Sequence, residues 1–150
     1  MSKSNLSREY HQLKTASGAI RLAGHAAIRL TGEDRHGFLH NFCTADTKKL
    51  PVGMGTEAFI LNEKGKCLAF VNLLALEDEM LMVFHGGTTN EIIDHLDKYL
   101  IREDVEILDV SDQKVIWFVG GPEADSKLNR QFGAASSRRV ARHGAMATLI

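Results

Sequence analysis

Three side chains within TGEDRHGFLHNFCTAD, residues 31–46, have the types and spacing of a reactive centre. On a helix turning about 100° per residue, His36, His40 and Cys43 stand at i, i+4 and i+7, one above the other. Two imidazoles and a thiolate so placed are three of the four ligands of a zinc site, the fourth coming from elsewhere. Cys43 with a neighbouring histidine is also the pattern of a nucleophile and its base, which needs an exposed thiol of lowered pKa. Against both stands the apolar face of the same helix. Phe38, Leu39 and Phe42 define it, and Cys43 beside Leu39 reads equally as a small buried hydrophobe. His25, His85 and His95 are isolated in the sequence and offer no clear fourth ligand, so spacing alone favours packing. Gly37 costs the helix about 1 kcal/mol relative to alanine, which close packing against a strand would explain.

Other chemical signals are weaker. HGG at 85–87 and VGGP at 119–122 each lie between a strand and a helix, where backbone N–H groups can hold an anion. Neither fits GxGxxG or GxxxxGK[ST], so both read as turns. Arg138, Arg139 and Arg142 could form a nucleic-acid arm, but without interleaved aromatics they read as a solvated tail. The acidic pairs Glu33–Asp34 and Glu103–Asp104 read as cap and turn positions. By chemistry alone, no active site is named.

The elements that would position these residues come from length and pattern. A chain of 150 residues with 44% apolar and 25% charged residues suits one soluble domain with a real core. A net charge of −1 argues against nucleic-acid or membrane-surface partners. No segment approaches the roughly 18 to 20 apolar residues of a membrane span, and the N-terminus lacks the apolar core of a secretory signal. Cys43 and Cys67 are too few for a disulfide framework, so both thiols are expected free in a reducing cytoplasm.

Residues 1–18 read as an arm or short surface helix, and AAIRLTG as a strand. Thr31 followed by Asp34 suggests an N-cap, with a helix running to Cys43 or Thr44. TEAFILNEKGKCLAFVNLLAL is a hairpin around NEKGK, and EMLMVFH a third strand. Thr88 and Glu91 repeat the capping spacing before a stripe of Ile92, Ile93, Leu96, Tyr99 and Leu100. DVEILDV and KVIWFVG are two more strands, and GPEADSKLNRQF is a helix with Pro122 near its start. The tail, 134–150, is weakly patterned. The order β-α-β-β-β-α-β-β-α predicts an α+β fold, a mixed sheet covered by helices rather than a doubly wound one.

One family shares these pieces in this order. The strand and Gly32-x-Asp34 before the Phe38–Leu39 helix, TAD at 44–46, the LNEKGK hairpin, LDKYLIREDVEILDVS and the GGPEA turn resemble the folate-binding domain of the glycine-cleavage T-protein (aminomethyltransferase) superfamily. The likeness is nearest its YgfZ-type branch, folate-binding proteins linked to iron–sulfur cluster maintenance and tRNA modification. It spans about residues 20–132, implying an N-terminal arm (1–18), a partial folate-binding domain (19–133) and a tail.

What the resemblance implies is a β/α fold around tetrahydrofolate, with Asp46, Phe70, Asn72 and His85 as folate contacts. The family enzymes carry paired aspartates where this chain has Ala69 and Phe70, so folate binding without transfer is expected. An aromatic ring at Phe70 can still pack on a pterin. Where the enzymes often have an asparagine on the pterin, this chain has His85, which can donate or accept. Family members are longer, and their later motifs have no counterpart here. A fragment, or a half-domain completed by a partner or a second copy, is therefore expected. The rivals are a one-carbon transferase whose acid is elsewhere, for instance Asp46, and a ligand-free interaction domain.

Overall fold

The computed structural model describes the backbone of residues 3–87, 89–132, 137–140 and 146–149. The elements are α1 (Lys3–Thr15), β1 (Gly18–Arg21), β2 (His25–Thr31), α2 (Arg35–His40), β3 (Met54–Leu61), β4 (Cys67–Ala75), β5 (Met80–His85), α3 (Thr89–Asp97), β6 (Glu106–Asp109), β7 (Trp117–Gly120), α4 (Ala124–Phe132), β8 (Ser137–Val140) and β9 (Met146–Leu149). The fold is α+β, and the predicted order is embedded in it. The chain forms two compact units, Gly24–Lys114 and a second built from Met1–Ala23 with Val115–Ile150.

In the Gly24–Lys114 unit, antiparallel ladders order the strands β6-β2-β5-β4-β3. One sheet face is apolar at every second position. Ile28 and Leu30 of β2, Met82 and Phe84 of β5, Val71 and Leu73 of β4, and Ile60 of β3 meet Phe38 and Leu39 from α2 and Ile92 and Leu96 from α3. Each such side chain contributes about 1.5–3 kcal/mol on burial. β5 is buried on both faces as far as Phe84, which is why MLMVF is an unbroken apolar run.

Two expectations at α2 are corrected. The helix ends at His40, short of Cys43, with Asn41 as its C-cap. Residues 42–44 instead join the edge of β3. Leu61 N–H donates to the Phe42 carbonyl at 2.9 Å, Thr44 N–H to the Phe59 carbonyl at 3.1 Å, and Cys43 bridges Ile60. Those ladder bonds satisfy groups that another helical turn would also have satisfied, so the local pattern alone could not decide between them. Thr31 is the last residue of β2, not the cap. Asp34 holds the N-cap position, yet its carboxylate leaves the helix and accepts the Asp104 N–H at 2.9 Å. Asp104 answers by accepting the Glu33 N–H at 3.0 Å, so the two acidic pairs clamp each other. Gly32, at φ +95°, lies beneath this clamp, and a β-carbon there would run into the Asp104 carbonyl. Gly37 has no such reason: a β-carbon would meet only the end of Lys48, at 3.9 Å.

In the second unit β1 and β7 form a two-stranded antiparallel ribbon, and β8 and β9 pair antiparallel. Residues 3–15 are helical, resolving the open reading of the arm, and the tail holds two strands where the pattern suggested none. α4 begins at Ala124, two residues after Pro122. Gly121, at φ +111°, turns the chain into it, and a β-carbon would stand 2.6 Å from the Ala16 carbonyl oxygen. Thr88, half of the second capping pair, and Arg142 lie outside the described residues.

Candidate functional site

The β3–β4 hairpin sets the face opposite the core. Asn62 Oδ1 closes its turn by accepting the N–H groups of Lys64 and Lys66 at 3.0 and 2.9 Å. A bulge between Ile60 and Leu61 then shifts the register, so that Phe59 pairs with Phe70 and Glu57 with Asn72. Directly opposed antiparallel residues point to one face. Phe70 therefore faces away from the core, whereas Ala69 packs against it. Of the two positions where the resemblance implies aspartates, only the second faces outward, and it carries a ring.

Phe59 and Phe70 are 46% and 47% exposed, with ring centroids 5.2 Å apart and planes tilted by 50°. Two residues along β4 on the same face, Asn72 is only 9% exposed. It lies opposite Val83 of β5 as well as Glu57, and its Oδ1 has no hydrogen-bond partner among the described residues. His85, two residues beyond Val83 on the same face, is exposed at the end of β5. It pairs across the ladder with His25, the rings edge to face at 5.4 Å. Phe70, Asn72 and His85 are thus gathered on one sheet face.

Asp46 is not gathered with them. It precedes a short 3-10 turn, Thr47–Lys49, beyond the edge of β3. Its carboxylate lies 3.1 Å from Lys49 Nζ and 3.5 Å from His40 Nδ1, and Lys49 foremost holds its pKa below the usual carboxylate range. It is an ionised acceptor, unsuited to giving up a proton.

The residues that opened the sequence reading have other work. His36 Nδ1 lies 2.9 Å from the Thr47 carbonyl, and Thr47 Oγ1 donates to the His36 carbonyl at 2.7 Å, tying α2 to the 3-10 turn. His40 faces Asp46. Burial pushes the Cys43 thiol up, against the smaller opposing effect of its bond to the Ala45 carbonyl, the reverse of what a nucleophile needs. Among the described residues no three of His, Cys, Asp and Glu converge as a metal would require.

Phe59 and Glu57 were not singled out from the sequence. Counting pairs outward from the NEKGK turn sets Phe59 against Ala69, one residue out, because the bulge is silent in the pattern. Chemically, the face offers a paired aromatic surface, a desolvated amide acceptor and an exposed imidazole. Such a set suits a flat heterocycle bearing N–H donors.

A family model described as the GCVT N-terminal domain matches residues 2–149. A chloroplastic protein of Arabidopsis thaliana, named as a transferase, is 30% identical over 114 residues, covering 73% of this chain and 26% of that protein. The chain thus spans about a quarter of that relative's length. Among solved structures, the glycine cleavage system aminomethyltransferase T from Bartonella henselae superposes with a TM-score of 0.68 at 20% identity, over 82% of this chain and 34% of that one. A chain of the heterotetrameric sarcosine oxidase from Corynebacterium sp. U-96, in complex with pyrrole 2-carboxylate, gives 0.56 at 19% identity, over 98% of this chain and 84% of that one. At these identities the likeness is one of fold.

Proposed function

The chain belongs to the GCVT N-terminal domain family, and from that premise we propose that it binds a tetrahydrofolate-type ligand on the sheet face carrying Phe70, Asn72 and His85. The observation that carries the reading is the nearly buried Asn72, whose Oδ1 lacks a partner among the described residues, beside two half-exposed rings. A buried acceptor left unpaired costs about 1–3 kcal/mol, which a ligand N–H would offset. The pterin would stack on Phe70 and Phe59, take its orientation from Asn72, and exchange a hydrogen bond with His85. Asp46, set apart at the edge of β3, would meet another part of the ligand. When bound, tetrahydrofolate supplies the nitrogen that carries a one-carbon unit.

We further read the chain as a binding rather than a transferring member, of the YgfZ type, acting in the cytoplasm. Position 70, the outward one of the two implied acid positions, holds a phenylalanine that can neither accept a proton nor stabilise a cationic centre. The competing reading makes Asp46 the acid of an aminomethyl transfer. Asp46, ionised beside Lys49, could act there only as a base or a counter-charge. A second reading of context, a module within a multi-chain enzyme, is favoured by the likeness to 84% of one sarcosine oxidase chain.

The test is a thermal-shift titration of the chain with tetrahydrofolate and 5-formyl-tetrahydrofolate. Ligand at a hundredfold excess over Kd stabilises the folded state by about 2.7 kcal/mol, and the shift should shrink in Phe70→Ala. No shift with either folate removes the ligand claim. Turnover of an aminomethyl donor with tetrahydrofolate, lost in Asp46→Asn, would replace binding with catalysis.

A further inference from the structure

Two of the five histidines in the Gly24–Lys114 unit have rings that answer to no polar group of the protein. His36 Nδ1 lies by the Thr47 carbonyl, His95 Nε2 stands 3.1 Å from the Leu61 carbonyl, and His40 faces Asp46. The rings of His25 and His85 have only each other among the described residues. His25 Nδ1 is moreover buried, with no hydrogen-bond partner there. A buried nitrogen so placed costs about 1–3 kcal/mol, which a proton donor or a metal ion would offset.

The backbone holds the two rings at chelating distance. Gly86 N–H donates to the Gly24 carbonyl at 2.7 Å, which makes residues 24 and 86 a hydrogen-bonded pair at the end of the β2–β5 ladder. Such pairs alternate with non-hydrogen-bonded ones, and His25 with His85, next in register, is of the second kind. There the Cα atoms are about 4.5 Å apart and side chains come closest. Glycine permits the approach, because a β-carbon on Gly86 would stand 3.0 Å from the Gly24 carbonyl oxygen. The ring centroids lie 5.4 Å apart. Two imidazoles bound to one ion through nitrogen at about 2.0–2.1 Å, and at about 90–110° to each other, have centroids about 4.5–5.3 Å apart. Turning the exposed His85 ring about its broad terminal torsion closes that small difference without moving the backbone.

We propose that His25 and His85 together chelate a divalent ion of the late first-row transition metals, one nitrogen from each ring, with water on the remaining positions. Imidazole suits copper, nickel and zinc, and rejects the hard calcium and magnesium ions, which take oxygen ligands. No three ligands converge among the described residues, so the ion is exchangeable rather than resident. Bound there, it joins β2 to β5 across the ladder and stabilises the folded state. The proposal stands apart from folate binding. A ring that coordinates through one nitrogen keeps the other for a hydrogen bond, so His85 serves either ligand or both.

The test is calorimetric titration of the full chain with nickel(II) and with zinc(II), at neutral pH and with no folate present. The wild type should take up one ion of either kind and melt higher with it. His25→Ala and His85→Ala should each weaken binding by about a hundredfold, since either change leaves a single ligand and the gain from linking two is lost. Cys67→Ser should bind as the wild type does, which separates the pair from the exposed thiol. Should an alanine variant fold poorly, the wild type gives an independent answer by nitrogen NMR of its imidazoles. Zinc should shift the ring signals of two histidines together, those of His25 and His85. No uptake of either ion, binding that survives in His25→Ala or His85→Ala, binding lost in Cys67→Ser, or zinc shifts on any other set of histidines would each overturn the proposal.

Discussion

Replacing Asn72 with leucine separates binding from folding at one position. Asn72 is 9% exposed, and its Oδ1 has no partner among the described residues, so the folded chain carries the desolvation cost of that acceptor. The cost is about 1–3 kcal/mol, and leucine removes it while adding apolar contact beside Val83. At about 2.1 cal/mol/K per residue, 150 residues unfold with an entropy of about 0.3 kcal/mol/K, so Tm should rise by about 3–10 °C. In the same capillaries, 5-formyl-tetrahydrofolate should raise the Tm of the wild type and leave that of Asn72→Leu unmoved. A core amide with a structural purpose would behave in the opposite way. If Asn72→Leu melts below the wild type, the amide is holding the fold together, and the ligand argument built on its unpaired oxygen fails.

Four further outcomes follow from the same geometry. Gly37→Ala should stabilise the chain by about 1 kcal/mol in denaturant unfolding, since the β-carbon has room and the helix gains propensity; a loss would mean a backbone constraint at that residue. Gly32→Ala should be destabilising, through its positive φ and the Asp104 carbonyl in its path, and a neutral result would refute the tightness of that turn. Cys67, exposed, should react with a disulfide reagent at neutral pH well before Cys43, whose thiol burial pushes up; equal rates would contradict that burial. Glu103 is held below its ordinary pKa by accepting the N–H groups of Arg102 and Ile101. Its contribution is therefore full above the ordinary carboxylate pKa and lost as pH falls through the lowered value, so Glu103→Gln should flatten the acid limb of the stability curve.

The sequence was most legible where pattern and packing agree. The run from β2 to β7 could be read because β5 is apolar throughout, the NEKGK turn is flanked by strand residues, and α3 has its stripe. It failed where long-range partners decided the local outcome. The edge of β3 took residues 42–44 from the helix, and Asp104 took the Asp34 carboxylate from its cap. β1, β8 and β9 left no signal to read, although β6 and β7, equally four residues long, left one within DVEILDV and KVIWFVG. At the candidate site, Phe70, Asn72 and His85 came from resemblance, and their gathering on one face depends on a bulge that no residue type announces. Asp46 shares the resemblance but not the face.

The clamp between Asp34 and Asp104 also bears on the order of folding. It joins residues 70 apart in the chain, yet each of its side-chain bonds is a single contact to a backbone N–H. Closing so long a loop costs more than one such contact returns, so β6 must already be docked on β2 before the clamp can form. It belongs to the last stage of assembly. Asp34→Ala should accordingly speed unfolding and leave the refolding rate unchanged, marking this turn as a latch closed after the sheet is complete.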